Sequence, residues 1–247
     1  RYVRQWEDMT DRIAFWIDME HPYLTYDRDY VESCWWIFKS LWDSELIYEA
    51  RRITPHCPRC ETSLSSHEVS LGYREDTPDP SVHVKFRTHP DSLPKTLRSF
   101  TGDTYLLAWT TTPWTLPANV ALAVAPKKRY AAVEIDSRER LIVAEDLLES
   151  TLSDLQNSYQ STVAVFTGDE LVNVKYDGLY EPRDWGVPIF QFDGARLTQF
   201  SSEDEPPTRR VLPGDFVSME EGTGIVHIAP AFGEDDYELG RKENLPL

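Results

Sequence analysis

Between Tyr105 and Ala144, apolar residues gather in short runs divided by turn residues, a pattern that predicts strands. The expected strands are Tyr105–Trp109, Val120–Val124, Tyr130–Ile135 and Arg140–Ala144, with Asp136-Ser-Arg-Glu139 as a hairpin connection. Val82-His-Val-Lys-Phe86 alternates as a half-buried strand does, and Val163–Phe166 is a further run. Asp215–Met219 and Gly224–Ile228 are expected as strands joined by the turn Glu220-Glu-Gly-Thr223. Elsewhere the spacing is helical. Tyr30, Val31, Cys34, Trp35, Phe38, Leu41, Trp42 and Leu46 form one apolar face of a helix over Tyr30–Glu49, with Asp27 or Asp29 as its N-cap. On that face Trp35, Trp36 and Trp42 read as core and Cys34 as a small buried residue. Leu147, Leu148, Leu152 and Leu155 predict a helix over Glu145–Gln156, and the end of the chain, Glu234–Asn244, predicts another. Residues 177–213 are turn-rich, and Ser201–Arg210 reads as a flexible surface loop. Many short strands with few helices between them imply an α+β fold, with a β-barrel-like core and peripheral helices. The expected boundaries are a helical N-terminal flank over 1–50, a knuckle or linker over 51–80, and a β-rich domain over 81–247.

One stretch within this pattern has unusual chemistry. Ala108-Trp-Thr-Thr-Thr-Pro-Trp-Thr-Leu-Pro-Ala-Asn119 packs four threonines, two tryptophans and two prolines into twelve residues. A ladder cannot continue through Pro113, so Thr110, Thr111 and Thr112 place hydroxyls where a strand ends. Residues before proline avoid helical geometry, so Thr112 and Leu116 are expected to be extended. Such a corner suits an adenosine: hydroxyls meet the ribose, and the indole of Trp109 or Trp114 offers a stacking face. An equal reading is a corner whose hydroxyls cap its own backbone.

Composition bounds the rest. The chain has 247 residues, 40% hydrophobic and 12% aromatic, enough for a substantial core. No apolar run approaches the length of a membrane span and no leader pattern opens the chain, so a soluble cytoplasmic protein without membrane partners is expected. The net charge of −17 argues against an extensive nucleic-acid footprint, although it leaves room for contact with a strand end. Three cysteines do not make a disulfide framework. Cys57-Pro-Arg-Cys60 has half the ligand spacing of a structural zinc site, which needs four ligands; His56 and His67 lie near, at spacings that do not complete a recognised set.

Further on, His227 falls on an expected strand and Asp236 nine residues later, in the first turn of the last helix. Between them Ala229-Pro-Ala-Phe-Gly233 reverses the chain and can fold both into one pocket. Alone, the histidine reads as a satisfied core residue and the aspartate as a helix cap, with Glu234 and Asp235 competing for that role. No Gly-x-Ser-x-Gly nucleophile elbow, Gly-x-Gly-x-x-Gly or phosphate-loop pattern occurs.

Trp109-Thr-Thr-Thr-Pro-Trp-Thr-Leu-Pro-Ala-Asn119 resembles the threonine-rich signature of the editing insertion of isoleucyl-tRNA synthetases. Gly222-Thr-Gly-Ile-Val-His-Ile-Ala-Pro-Ala-Phe-Gly-Glu-Asp-Asp236 is similar to that insertion's second signature, in the correct order. Asp11 to Glu20 and Tyr30 to Glu49 resemble the catalytic body that leads into the insertion, and Gly168 to Tyr176 resembles a segment crossing the back of its barrel. The resemblance implies hydrolytic proofreading: removal of valine from mischarged tRNA(Ile), and of valyl-adenylate, by an enzyme that joins isoleucine to tRNA(Ile) with ATP. The signatures of the ATP-dependent site are absent from this stretch.

By the same resemblance, Asp236 pairs with the α-ammonium of the misattached amino acid and His227 lines the side-chain pocket. Thr112 and Thr115 position water, ester or ribose; Thr110, Thr111, Trp109, Trp114 and Ala229 complete the binding surface, with Trp114 and His227 as its wall. Water is the expected nucleophile. The isoleucine–valine pair is the established example of why such a pocket exists, since one methylene yields only about 1–3 kcal/mol of discrimination. Editing needs no cofactor, whereas Cys57 and Cys60 would be half of a structural zinc site in the full enzyme. The implied partners are the tRNA(Ile) 3′ end bearing valine and the rest of the synthetase. Two alternatives remain: the valyl enzyme's editing domain, clearing threonine, and a non-catalytic module that binds a tRNA 3′ end. Thr112-Pro113 argues against the first, because that relative usually carries Arg-Pro there.

Overall fold

The computed structural model describes residues 2–71, 74, 76–78, 80–136, 138–155, 161–193, 196–200 and 208–247. The chain divides into two units, Arg1–Glu49 and Ala50–Leu247.

The first unit holds two helices, α1 (Tyr2–Arg12) and α2 (Arg28–Asp43). Asp27 is the N-cap of α2, although its side chain makes no capping bond. The helical spacing brings Trp35 against Phe38, and Phe38 against Trp42, with ring centroids 5.8 and 6.4 Å apart. These rings are not core. Trp35, Trp36 and Trp42 are 66%, 71% and 59% exposed, and Cys34 is exposed as well. The expectation of burial fails because periodicity shows that a helix has an apolar face without supplying what covers it.

The second unit opens on the knuckle, where two-residue strands β1 (His56–Cys57) and β2 (Thr62–Ser63) pair antiparallel, followed by the short helix α3 (Ser66–Leu71). The strands that follow are β3 (Val82–Arg87), β4 (Asp103–Thr110), β5 (Ala121–Val124), β6 (Arg129–Asp136) and β7 (Glu139–Ala144). After helix α4 (Leu148–Asp154) come β8 (Ser161–Thr167) and the one-turn helix α5 (Gly168–Leu171). The chain then forms a hairpin of β9 (Phe190–Asp193) and β10 (Arg196–Gln199), then β11 (Arg210–Pro213), β12 (Ile225–Ile228) and helix α6 (Glu234–Glu243).

Two sheets carry the core. A five-stranded sheet has the order β3-β4-β7-β6-β8, and a three-stranded sheet the order β11-β5-β12. The α+β class holds, and the sheets remain separate rather than closing into one barrel. At the centre of the smaller sheet, β5 is buried at all four residues, Ala121 to Val124. It pairs parallel with β11 and antiparallel with β12, His227 lying opposite Leu122. Alternate residues Ala121 and Ala123 pack with Leu212, Ile228 and Leu239, whereas Leu122 and Val124 join Phe86, Leu106, Ile142 and Tyr176 in the main core. Each such leucine is worth about 1.5–3 kcal/mol of burial. Buried Tyr130 of β6 clamps the smaller sheet: its hydroxyl donates to the Gly224 carbonyl at 2.7 Å and accepts from the Ala125 N–H at 2.9 Å.

Three local expectations are corrected. Asp215–Met219 is not a strand: residues 215 and 216 form a turn closed by the Val217 N–H on the Gly214 carbonyl, and Arg210–Pro213 pairs in its place. Leu116 is not extended; it lies in a 3-10 helix over Pro113–Ala118. Pro113 begins that helix with its ring-fixed φ, and burial of Leu116 outweighs the steric preference imposed by Pro117. The helix expected over Glu145–Gln156 is a 3-10 turn, Glu145–Leu147, followed by α4. Most of the anticipated loop Ser201–Arg210 lies outside the described residues, and its last residue opens β11. Among the described residues no helix is long and apolar enough to cross a membrane.

Candidate functional site

The two unusual stretches of the sequence meet. The first contact is steric. Gly222 has φ +76°, and a methyl group added to it would come within 2.9 Å of the half-buried Trp109 ring. Gly224 has φ +72°, and an added methyl there would lie 2.4 Å from the Ala144 side chain. Both positions therefore demand glycine twice over, for left-handed backbone and for close approach. Between them the buried Thr223 carbonyl accepts the Ala144 N–H at 2.8 Å, which pins the turn to β7.

The second contact is polar. Thr115 Oγ1 lies 2.9 Å from His227 Nε2, both side chains being buried. Thr115 Oγ1 also donates to the Thr112 carbonyl at 2.8 Å. A hydroxyl has one proton, so with that proton on the carbonyl the histidine donates from Nε2. His227 Nδ1 is then a bare acceptor, buried and without a partner among the described residues. Burial holds the His227 pKa down at about 4, so the ring is neutral at physiological pH.

The third contact brings in the last helix. Gly233, not Glu234 or Asp235, is the N-cap of α6, and Asp236 is the third helical residue. Its half-buried carboxylate turns back and accepts the N–H of Ala229. Burial raises its pKa to about 6, the Ala229 hydrogen bond opposes the rise, and neighbouring Asp235 adds to it. His227 is the next-to-last residue of β12 and Ala229 follows that strand's last residue. The hydroxyl corner and the helix carboxylate therefore grip the same end of β12.

Within the corner, hydroxyls do cap backbone. Thr110 Oγ1 accepts the Thr112 N–H at 3.0 Å and lies 3.2 Å from Thr112 Oγ1. Thr110 is buried, Thr111 half-buried and Thr112 exposed, leaving Thr112 the accessible hydroxyl of the three. Trp114 stands 66% exposed, whereas Ala229 is fully buried. The structure thus pairs Thr115 with His227 and Asp236 with Ala229, holds Trp109 against the second stretch, and turns Trp114 outward.

Residues beyond the sequence expectation also shape the site. Asn119 Oδ1 accepts the buried Tyr176 hydroxyl at 2.8 Å, and its amide donates to the Ala121 carbonyl at 2.9 Å, fixing the exit of the corner. Gly222 was legible within the turn Glu220–Thr223, whereas Gly224 reads as the start of a strand, and nothing in the local sequence marks Tyr176.

Cys57 and Cys60 lie apart from these contacts on the knuckle. The Cys60 N–H approaches Cys57 Sγ at 3.4 Å. Backbone donation from Cys60 and Arg59 lowers the Cys57 pKa, while the hydrogen bond to Cys57 raises that of Cys60. Among the described residues no three His, Cys, Asp or Glu side chains converge as a metal site, so His56 and His67 do not complete the pair.

The family described as tRNA synthetases class I (I, L, M and V) matches residues 1–227. An isoleucine–tRNA ligase of Dehalococcoides mccartyi is 44% identical over 251 aligned residues, covering 99% of this chain and 24% of that protein. The corresponding ligase of Clostridium kluyveri is 45% identical over 246 residues, covering 100% of this chain and 20% of that protein. The chain therefore spans between a fifth and a quarter of the length of these relatives. A leucyl-tRNA synthetase editing domain from P. knowlesi is a partial structural neighbour, at TM-score 0.47 and 16% identity over 66% of this chain and 63% of that one. The chain belongs to the class I tRNA synthetases of the I, L, M and V group.

Proposed function

We propose that this chain is a hydrolytic proofreading domain that cleaves valine from the 3′-terminal ester of mischarged tRNA(Ile), and from valyl-adenylate, within a cytoplasmic isoleucine–tRNA ligase. What supports this reading is the buried Thr115–His227 contact on β12 together with the half-buried Asp236, whose carboxylate meets Ala229, the residue that follows that strand. An aminoacyl ester offers one cation, its α-ammonium. A half-buried carboxylate at the start of a helix recognises it through a charge-assisted hydrogen bond. With the ammonium held, the ester carbonyl is fixed relative to Thr112 and Thr115, and water attacks it. His227 is neutral and buried, which suits a wall against a branched aliphatic side chain. Its bare Nδ1 can accept one hydrogen bond. The terminal ribose and base would meet Thr110, Thr111 and Trp109, with Trp114 at the outer edge. The remaining partner is the rest of the synthetase chain. Hydrolysis needs no cofactor in this scheme. A structural zinc would require two further ligands beyond Cys57 and Cys60, and no step depends on it.

The test is deacylation of valyl-tRNA(Ile) and threonyl-tRNA side by side. Faster release of valine is expected. Preference for the threonyl ester would assign the pocket to threonine clearance, and turnover of neither would leave only binding of the RNA end.

A further inference from the structure

A buried hydroxyl from outside the site braces the corner that carries Thr115. Tyr176 is 1% exposed, and its ring packs edge-on against Phe86 of β3 with centroids 5.2 Å apart. The backbone on either side of it is fastened to the end of that strand. The Lys175 carbonyl accepts the His89 N–H at 2.8 Å, and the Asp177 N–H donates to the Arg87 carbonyl at 2.8 Å. Tyr176 is therefore rooted in the five-stranded sheet. From there its hydroxyl crosses to the hydroxyl corner and donates to Asn119 Oδ1 at 2.8 Å. The other end of that amide fixes the direction of the bond: Nδ2 donates to the Ala121 carbonyl, so Oδ1 faces the phenol. Burial pushes the Tyr176 pKa above the ordinary tyrosine value, against the opposing effects of the Asn119 bond and the Arg209 charge. The phenol thus keeps its proton at physiological pH.

Asn119 is where the corner turns into β5. Its N–H closes the 3-10 helix on the Leu116 carbonyl at 3.0 Å, and the N–H of Val120, the next residue, donates to the Ile228 carbonyl of β12 at 3.0 Å. Thr115 precedes Asn119 on that helix and His227 precedes Ile228 on β12, so the Thr115–His227 contact closes a ring through this junction. A backbone route from Tyr176 reaches the base of the same ring. The Tyr176 N–H donates to the Arg209 carbonyl at 3.0 Å, and the Arg209 N–H to the Val120 carbonyl at 2.7 Å. Backbone bonds hold the base of the ring. Among the described residues, the Tyr176 hydroxyl alone ties the Asn119 side chain to the large sheet.

We propose that Tyr176 is a positioning residue for ester cleavage: its hydroxyl, acting through Asn119, holds the corner against β12 so that Thr115 stays on His227. The catalytic part of the proposal rests on the proofreading reading above; the geometric part does not. A shift of about 1 Å at a reacting group costs up to about a hundredfold in rate, and with the backbone bonds intact the loss of this one bond is expected to cost about tenfold.

The test is Tyr176→Phe in the 247-residue chain, which removes the hydroxyl and keeps the ring against Phe86. For valyl-tRNA(Ile) hydrolysis, kcat is expected to fall about tenfold with KM changed by less than about twofold. In the chain labelled with 15N-histidine, the His227 ring is expected to show the Nε2–H tautomer before the substitution and a mixture of tautomers after it. Phe86→Leu is the control for packing, because it loosens the same ring and leaves the hydroxyl in place. It is expected to lower the melting temperature while kcat and the His227 signals are retained. Unchanged kcat or unchanged His227 signals in folded Tyr176→Phe overturn the proposal, as does an equal loss of kcat in both variants. If the unaltered chain releases no valine while Tyr176→Phe still shifts the His227 signals, the proofreading reading fails and the geometric role stands. Valine release with neither readout moved by Tyr176→Phe refutes the role of Tyr176 alone.

Discussion

The knuckle around Cys57 and Cys60 and the junction around β12 both begin as short sequence motifs, yet they end in opposite environments. The knuckle is closed only on itself: β1 and β2 are two residues each, none of the four is buried, and no third metal-ligating side chain joins among the described residues. The junction joins segments more than a hundred residues apart by a buried hydrogen bond and a glycine against an indole, and a nearby carboxylate closes back on the Ala229 N–H. A local spacing can propose a site and shift the pKa values of its thiols through neighbouring backbone, but burial of the side chains comes from long-range closure.

The comparison sets the size of the expected effects. The largest belongs to the anchor. Asp236→Ala should lower valyl-ester hydrolysis by a hundredfold or more while the thermal unfolding transition stays cooperative, measured by deacylation alongside a melt. Retained turnover in a folded variant would remove the ammonium role. Next is the turn that locks the junction. Gly224→Val must place a branched side chain at φ +72° against Ala144, and a loss of roughly 2–4 kcal/mol is expected in urea unfolding. The paired change Cys57→Ser/Cys60→Ser on the exposed knuckle should stay within about 0.5 kcal/mol, and equal losses from the two would erase the distinction.

The pKa values sharpen it further. Asp236 titrates near 6 in the folded chain and the ordinary aspartate near 3.8, so its protonation favours folding at pH 4 and that advantage is lost as pH rises through about 6. His227 behaves in the opposite sense. It stays neutral down to about 4 while the unfolded chain takes up a proton below about 6.5, so stability falls on acidification across that window. Each effect should be about 2 kcal/mol, read as the stability difference between the chain and its Asp236→Asn or His227→Gln variant across pH 4–7. Flat differences would mean that neither group is held as described. Catalysis should follow the carboxylate, with kcat/KM for the valyl ester rising through pH 6. The smallest effect concerns selectivity: His227→Ala should raise cleavage of isoleucyl-tRNA by about tenfold relative to valyl-tRNA, and no change would place the steric wall elsewhere.

How much of this was legible depended on where the deciding interaction lay. The strands between Tyr105 and Ala144 were readable because each is a short apolar run bounded by turn residues. Strand β11 was not, because Arg210-Val-Leu-Pro213 has two apolar residues and a terminal proline, and its pairing with β5 is a long-range parallel contact. Trp35, Trp36 and Trp42 announced an apolar face without its cover. At the site, the threonines, His227 and Asp236 were visible as types and by resemblance. Their partners were less so: Thr115 on His227 spans 112 residues and Tyr176 on Asn119 spans 57. The outward Trp114 and buried Ala229 were equally unreadable, because one lies in a short 3-10 helix and the other in the bend after β12, where no long period assigns a face.

The account turns on whether the hydroxyl corner and the α6 carboxylate serve one ligand. Soaking crystals of the chain with a non-hydrolysable valyl-adenosine analogue tests this most directly. The account predicts the analogue's ammonium on Asp236, its isopropyl group beside His227 and its adenosine along Thr110 to Thr112. An analogue that occupies the crystal with its ammonium away from Asp236 would contradict it.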